Sequence, residues 1–196
     1  MNTNTIEHHP LEPYYPPHAH MLMLGSFPPK KERWSMNFYY PNLQNDMWRI
    51  FGIIFFDDKE HFLEKDKKKF DKSSITAFLE NKGIALSDTA RAVIRLKDNA
   101  SDKFLEVVTP IDLPAVLRQL PECKAIVLTG QKAMDIIISQ TLTTEPKVGA
   151  YSTFLFEERE IKLYRMPSSS RAYPKPLTEK AEVYKTMFSG IGLLKE

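Results

Sequence analysis

The sequence predicts an α/β fold, a three-layer α/β/α sandwich around a central, mainly parallel sheet of four strands. Short apolar runs alternate along the chain with stretches in which apolar residues recur at helical spacing, an alternation typical of α/β proteins. The runs lead into glycine or into loops rich in hydroxyl residues, and their continuous apolar character favours buried parallel strands. With 196 residues, 42% of them hydrophobic and 27% charged, the chain is typical of one globular domain.

Residues 1–20 are predicted to form an extended N-terminal arm, and residues 21–196 a single domain. Four prolines in the arm disfavour helix at the residues that precede them, so we expect the arm to lie extended over the body of the protein. Its histidines invite a metal-site hypothesis, but no matching carboxylate or cysteine framework accompanies them. We therefore expect no metal, and surface or packing roles for His8, His9, His18 and His20.

The first strand and the first helix follow the arm. Residues 21–24 form a short apolar run that is stopped by Gly25, which favours a buried strand. Apolar residues then recur at helical spacing between Asn45 and Phe56, so we predict a helix that begins near Asn45.

A charged, partly amphipathic stretch at residues 60–81 is predicted to be helical. It ends in the Asn-Lys-Gly sequence 81–83, which is common at helix C-termini. The apolar residues 84–86 then predict a second strand, which leads into Ser-Asp-Thr at 87–89. The polar segment 90–110 is ambiguous.

A third strand lies between two short helices in the second half of the chain. Residues 112–120 suit a short helix with Pro114 in its first turn. The apolar run 125–128 predicts a buried strand that is closed by Thr-Gly, and a helix is expected at residues 131–140.

The last elements are a hairpin and a helix. Residues 153–156 and 161–165 flank a charged turn and predict a hairpin. Residues 178–194 close the chain as an amphipathic helix.

Composition excludes several classes of protein. The single cysteine, Cys123, rules out an intrachain disulfide, a four-cysteine zinc site and an iron–sulfur cluster, and is predicted to be an inert buried thiol. No apolar run approaches the roughly 20 residues of a transmembrane helix, and no signal peptide is visible. We expect a cytoplasmic monomer with no membrane partner. The net charge of +2 neither demands nor forbids a polyanionic partner, and the lysines at 65 and 67–69 suit a solvated helix face better than phosphate contacts.

Two loops rich in proline and small hydroxyl residues follow predicted strands. The ends of strands are where α/β proteins bind ligands, so both loops are candidates for a site. The relevant segments are Gly25-Ser26-Phe27-Pro28 with the following Tyr39-Tyr40 and Asn45-Asp46-Met47-Trp48, and Pro167-Ser168-Ser169-Ser170-Arg171.

These segments resemble the uracil-DNA glycosylase superfamily, and most closely its hypoxanthine-DNA glycosylase-like branch, family six. That branch has Gly-Ser-(Met/Phe)-Pro, Tyr-Tyr, His-Pro-Arg, Asn-x-Phe-Trp, Gly-Ile-Ala-Leu-Trp-Asp-Val and Pro-Ser-Thr-Ser in this order. The resemblance runs from about Met21 to the last helix and includes residues 83–89. The chain departs from the pattern in two places: Asn42-Leu43-Gln44 replace His-Pro-Arg, and Ser87 replaces Trp.

The resemblance implies a monofunctional DNA glycosylase without a cofactor, which hydrolyses the N-glycosidic bond of a flipped deaminated base, uracil or hypoxanthine, in base-excision repair. Its partner would be DNA containing a damaged base. The reaction passes through an oxocarbenium-like sugar, so it needs a group that places water and donors that stabilise the departing base.

The same resemblance suggests the residues that do this work. The catalytic candidate is Asn45, whose amide could hold the water or a base edge, although Asn is also a preferred helix cap and the two roles are compatible. Tyr40 is the candidate stacking platform, and ordinary packing is its alternative. The base-binding candidates are Gly25, Ser26, Phe27, Tyr40 and Asp88, of which Asp88 could instead cap the next segment. The DNA-binding candidates are Pro28, Pro167, Ser168, Ser169, Ser170 and Arg171, which could hold phosphates.

Two other functions stay open from the sequence. A noncatalytic nucleic-acid-binding relative is compatible with the altered segment 42–44. A nucleotide or small-molecule hydrolase on a similar scaffold would show no salt-dependent affinity for DNA.

Overall fold

A computed structural model describes residues 5–96 and 102–194 and contains two β-sheets and five α-helices in that part of the chain. The strands are β1 Ile6–His8, β2 Met21–Gly25, β3 Ile84–Asp88, β4 Ala90–Arg95, β5 Leu105–Pro110, β6 Ala125–Thr129, β7 Tyr151–Phe156 and β8 Arg159–Met166. The helices are α1 Met47–Phe56, α2 Lys72–Lys82, α3 Leu113–Gln119, α4 Gln131–Thr141 and α5 Leu177–Ile191. None of these helices is long and apolar enough to cross a membrane.

The central sheet has the strand order β3-β2-β6-β8-β7. Its first four strands are parallel, as predicted. The sheet has five strands and not four, because β7 pairs with β8 as an antiparallel edge strand. The hairpin that the sequence predicts is therefore part of the central sheet.

The sheet lies between two layers of helices, which confirms the predicted three-layer sandwich. Met21 and Met23 of β2 belong to the core shared with α1, α2 and α5, whereas Leu22 and Leu24 belong to the core shared with α3 and α4. Successive strand residues point to opposite faces of a sheet, so a strand covered on both faces is apolar throughout. Cys123 lies in the second core, where burial raises the pKa of its thiol to about 11.

The charged stretch 60–81 is helical only from Lys72. Asp71 caps α2, since its carboxylate accepts a hydrogen bond of 3.2 Å from the backbone N–H of Ser74. The preceding residues form a turn that is closed by a bridge between Leu63 and Phe70, with Lys67 in the left-handed region at φ 58°. The lysines therefore lie in a turn and not on a helix face.

The ambiguous segment 90–110 contributes two strands to a second sheet, and residues 97–101 of it lie outside the described residues. This sheet is antiparallel with the order β1-β4-β5. Its edge strand β1 comes from the N-terminal arm, and further along the arm Tyr14 forms a bridge with Leu86 of β3. The arm is extended and is hydrogen-bonded into the body of the protein.

Candidate functional site

The carboxyl ends of the parallel strands bring the candidate residues to one edge of the central sheet. Gly25 at the end of β2 is in register with Asp88 at the end of β3, and Thr129 at the end of β6 is in register with Met166 of β8. The loops that follow these strands start at the same edge, which is the usual position of a ligand site in an open α/β sheet.

The centre of this edge is a group of polar atoms packed around Gly25. A Cβ atom built on Gly25 would lie 2.7 Å from Asp88 Oδ1 and 3.4 Å from Tyr40 Oη. The Tyr40 hydroxyl is 3.0 Å from Thr129 Oγ1, and either oxygen can donate in this hydrogen bond. Glycine at position 25 therefore leaves room for both the carboxylate and the phenol beside the backbone, and the structure brings three of the predicted base-binding residues together here.

Tyr40 is held in an unusual conformation beside this carboxylate. Its φ of 50° lies in the left-handed region, which costs a non-glycine residue about 1–3 kcal/mol and is concentrated at functional sites. Burial of the hydroxyl and then the Asp88 carboxylate raise the pKa of Tyr40 well above its usual value. The phenol therefore keeps its proton and remains a hydrogen-bond donor.

A second carboxyl group, Asp102, approaches the first loop. Burial raises the pKa of Asp102; a hydrogen bond from the Ser26 side chain opposes this rise, and the Asp88 carboxylate adds to it. Ser26 itself is buried, and its carbonyl accepts a hydrogen bond of 3.1 Å from the Ala90 N–H. Nothing in the sequence distinguishes Asp102 from other surface acids, because its position depends on the pairing of β4 with β5.

Phe27 and Pro28 lie on the side of the site that faces the second sheet. The Phe27 ring is partly buried against the apolar residues of β4 and β5, and the Arg95 guanidinium lies 6.0 Å from its centroid. Pro28 is buried, and its carbonyl accepts a hydrogen bond of 3.3 Å from Arg95. The Phe27 ring can form a wall of the site, and the hydrogen bond from Arg95 to the Pro28 carbonyl fixes the first loop.

Asn45 lies at the start of α1, partly exposed to solvent. Its Oδ1 accepts a hydrogen bond of 2.9 Å from the N–H of Met47, the first residue of α1. The N-cap itself is Asp46, which makes no side-chain capping hydrogen bond. The amide nitrogen, Nδ2, donates to no residue in the described ranges and leaves two N–H donors available. The contact with Met47 and a role toward a ligand are therefore compatible in this geometry.

The second loop is joined directly to the segment that carries Asn45. Asn45 forms an antiparallel bridge with Ser170, and the Asp46 N–H donates to the Ser169 carbonyl at 2.8 Å. Ser168 lies next to Gly130, whose built Cβ would be 3.9 Å from the Ser168 Cβ. Since Gly130 follows Thr129, the partner of Tyr40, the two loops and Asn45 converge on one edge of the sheet.

The members of the second loop differ in exposure. Pro167 and Ser169 are buried, Ser168 and Ser170 are partly buried, and Arg171 is exposed. The Pro167 carbonyl accepts a hydrogen bond of 2.8 Å from the Tyr184 hydroxyl of α5. The hydrogen bond from α5 thus fixes the start of the second loop, while Arg171 at the end of the loop is exposed.

A buried ion cluster that the sequence analysis did not identify fixes this junction. The Asp46 carboxylate lies 3.0 Å from Arg171 Nε and 3.2 Å from Lys180 Nζ. Lys180 is fully buried and also donates to the Ser170 carbonyl at 2.8 Å. The available signal was the position of Lys180 beside Ala181 and four residues before Tyr184, on the apolar face of α5.

Positive charge flanks the altered segment 42–44. Arg49 of α1 donates to the Leu43 carbonyl at 2.8 Å, and Arg171 Nη1 donates to Gln44 Oε1 at 3.2 Å. Burial and then the charge of Arg171 lower the pKa of Arg49. Two guanidinium groups, one from α1 and one from the second loop, therefore contact this segment.

His9 of the arm is a further residue of the site. Its imidazole is completely buried, and Nε2 lies 2.8 Å from Asp88 Oδ2. His18 and His20 are exposed beside Glu122 instead. Across residues 5–96 and 102–194, no cluster of three or more His, Cys, Asp or Glu residues has a geometry suited to a metal ion. No sequence signal separated His9 from the other histidines of the arm.

A large open cavity lies beside this site and not within it. Its volume is about 1050 Å³, and it is lined by residues of β5, α3 and α4, including Val107, Pro114 and Lys132. None of the predicted site residues contributes to its lining.

The comparisons with known proteins show similarity at the level of the fold. No model of a known protein family matches the chain, and no curated protein matches it. Among solved structures, the fold is similar to that of a protein from Methanosarcina acetivorans described as a "putative Uracil DNA glycosylase". The TM-score is 0.61 at 18% sequence identity, and the match covers 96% of this chain and 99% of the other.

Proposed function

We propose that this protein is a monofunctional DNA glycosylase that hydrolyses the N-glycosidic bond of a deaminated base, uracil or hypoxanthine, flipped out of DNA. The observation that carries the proposal is the junction of the two loops, where Asn45 forms a bridge with Ser170. The similarity in fold to the Methanosarcina protein, whose name includes uracil DNA glycosylase, supports the same activity.

In the proposed reaction, water replaces the base at C1′ of the sugar. The bond between C1′ and the base nitrogen breaks, and its electron pair leaves with the base. The water oxygen bonds to C1′, and the proton that it loses passes to solvent or to the base. Because the sugar is already oxocarbenium-like, the water needs to be positioned more than it needs a strong base.

Asn45 is suited to that modest task. A carbonyl oxygen has two lone pairs, so Oδ1 can accept from water while it also accepts from the Met47 N–H. The two free N–H groups of Nδ2 can donate to a base edge or to a phosphate. An amide takes up no proton at neutral pH, which is compatible with a step that needs no general base.

The first loop and Tyr40 would hold the flipped base. An aromatic face restores about 1–3 kcal/mol of the stacking that the base loses when it leaves the duplex. The phenol of Tyr40 stays protonated and can donate to a base that gains negative charge. Because Gly25 has no side chain, the Asp88 carboxylate and the Tyr40 hydroxyl can both lie against the backbone of the loop.

The second loop would grip the DNA strand. Its hydroxyl and backbone N–H groups can bind phosphate oxygens without reading sequence, and Arg171 is exposed beside them. The Asp46–Lys180 pair fixes the loop against α1. A rigid second loop opposite a rigid first loop is suited to extruding a base, a process that costs a few kcal/mol.

Single-turnover release of base from oligonucleotides that contain one uracil or one hypoxanthine tests this proposal. We expect Asn45→Ala to slow release by about 100-fold, the order of magnitude expected for a lost transition-state hydrogen-bonding group. Asn37→Ala is the matched control, because Asn37 is an exposed asparagine outside both loops, and its rate should equal that of wild type.

The same experiment separates the alternatives. If wild-type protein binds the oligonucleotides but releases no base, it is a noncatalytic nucleic-acid-binding protein. DNA affinity that does not vary with salt would instead favour a small-molecule or nucleotide hydrolase. Full activity of Asn45→Ala would remove Asn45 from the mechanism and leave the glycosylase proposal standing.

A further inference from the structure

The N-terminal arm is anchored so that one of its side chains enters the candidate site. β1 is paired with β4, and directly after it the His9 N–H donates to the Arg91 carbonyl at 2.8 Å. Arg95 makes two hydrogen bonds of 3.0 Å to the Glu7 carboxylate and also donates to the Pro28 carbonyl. One guanidinium therefore ties the arm to the first loop.

The imidazole of His9 is enclosed by aromatic rings of the site. The Phe27 ring meets it edge to face at 5.2 Å, and the Tyr39 ring is stacked on it at 6.0 Å, both measured between centroids. Nδ1 lies 2.9 Å from the Leu11 carbonyl oxygen and 3.2 Å from the Leu11 N–H. Nε2 faces Asp88 Oδ2 at 2.8 Å. A carboxylate can only accept, so Nε2 carries the proton whichever role Nδ1 takes.

The two oxygens of Asp88 differ in their surroundings. Oδ2 is held by His9, whereas Oδ1 is directed toward Gly25, 2.7 Å from the position that a Cβ there would occupy. No donor within the described residues is hydrogen-bonded to Oδ1, although Asp88 as a whole is only 6% exposed. This oxygen is therefore available to accept a hydrogen bond from a donor that a ligand brings.

We propose that His9 is a positioning residue, which holds Asp88 so that Oδ1 accepts the ring N–H of the flipped base. The inference rests on the proposed glycosylase function and narrows its substrate class to bases with a lactam N–H. Uracil and hypoxanthine carry such an N–H where cytosine and adenine carry a lone pair. A carboxylate oxygen attracts the N–H and repels the lone pair, so Asp88 would favour uracil over cytosine and hypoxanthine over adenine.

The arm, and not only the two loops, would then determine which base is accepted. Without the donor at position 9, the Asp88 carboxylate could rotate, and its free oxygen would no longer be fixed opposite the base. The effect of His9 is therefore predicted to fall on discrimination between bases, and a purely structural histidine would not change that discrimination.

The test uses oligonucleotides with either uracil or 3-methyluracil at one site, since the methyl group removes the ring N–H. In wild type we expect uracil to be released at least about tenfold faster than 3-methyluracil, the factor expected for one lost hydrogen bond. His9→Leu removes the donor at similar size and should bring the ratio of rates close to one. His9→Gln keeps an N–H donor and should retain the preference. Asp88→Asn should also lose it.

Two controls keep the outcome decisive. Thermal unfolding of each variant shows whether it is folded. Titration of free uracil and free 3-methyluracil, followed by NMR line broadening of the base, reports on recognition without turnover.

Equal ratios for folded His9→Gln and His9→Leu would overturn the positioning role, and an unchanged ratio for Asp88→Asn would overturn Asp88 as the acceptor. If wild type releases neither base, the proposed function fails and the titration decides the inference. Binding of uracil with rejection of 3-methyluracil upholds it, whereas equal binding or no binding overturns it.

Discussion

The ammonium group of Lys180 is buried directly beneath the junction of the two loops. It contacts the Asp46 carboxylate and the Ser170 carbonyl, and so it joins the start of α1 to the second loop. Removing one partner of a buried ion pair leaves the other charge in a low-dielectric environment, which costs far more than the loss of a surface pair.

We therefore expect Lys180→Met to lower the free energy of unfolding by about 3 kcal/mol. Lys175→Met is the matched control. Lys175 precedes α5 and is more exposed than Lys180, and its contact with Glu179 at 3.5 Å is a surface pair that contributes at most about 1 kcal/mol. Urea unfolding of both variants at one pH measures the difference. Similar decreases in the free energy of unfolding of the two variants would show that the buried pair contributes no more to stability than the surface pair.

Helix α2 and the arm meet at a glycine. α2 ends at Gly83, which has a φ of 65° and donates its N–H to the Glu80 carbonyl. The sequence predicts this end correctly, because glycine is the residue that adopts the left-handed conformation at low cost. The structure adds that a Cβ on Gly83 would lie 3.1 Å from the His18 carbonyl oxygen of the arm.

Gly83→Ala should therefore destabilise the protein more than Gly192→Ala. Both glycines end helices with positive φ, and alanine there costs about 1–2 kcal/mol from the backbone alone. Only Gly83 has a backbone atom of another segment in the way, whereas a Cβ on Gly192 would meet nothing within 4 Å. Chemical denaturation measures the free energy of unfolding of both variants. An equal decrease at both positions would mean that the arm moves away from the added Cβ at no measurable cost in free energy.

The second sheet shows why some elements escape prediction. β4 and β5 are not buried throughout, since β4 has partly buried positions and β5 has exposed ones. Their third partner is β1, which comes from the distant N-terminal arm. A short amphipathic strand that depends on such distant pairing has too weak a local pattern to be recognised.

The molecule as a whole separates the candidate DNA-binding edge from the opposite edge of the central sheet. Arg171 lies at the carboxyl ends of the strands, beside the second loop. Arg118 pairs with Glu157 at the hairpin turn, next to the start of β8 and therefore at the amino ends. The two arginines are exposed to similar degrees but lie at opposite edges.

DNA binding at the candidate edge should depend on one of these arginines and not on the other. We expect Arg171→Gln to weaken binding at every salt concentration and to reduce the slope of log affinity against log salt by about one. Arg118→Gln should match wild type. Fluorescence anisotropy with a uracil-containing duplex over a range of salt measures both slopes. If the two variants give the same slope, DNA does not bind where we propose.

Much of the architecture and the members of both loops follow from local sequence. The buried strands, the end of α2 at Gly83 and the start of α1 near Asn45 are recognisable because apolar periodicity and capping preferences act over a few residues. The loop residues were selected by their motif, and the structure brings Gly25, Tyr40 and Asp88 together.

The remaining features of the site exist only in the folded chain. His9 and Asp88 are separated by 79 residues, and Lys180 and Asp46 by 134 residues. The local sequence does not distinguish a buried ionisable side chain from an exposed one. Burial and the distant partner, which change the chemistry of the side chain, arise only when the chain folds. Local pattern was therefore enough for the strands and the loop motifs, while tertiary packing decided which buried histidine and which buried lysine complete the site.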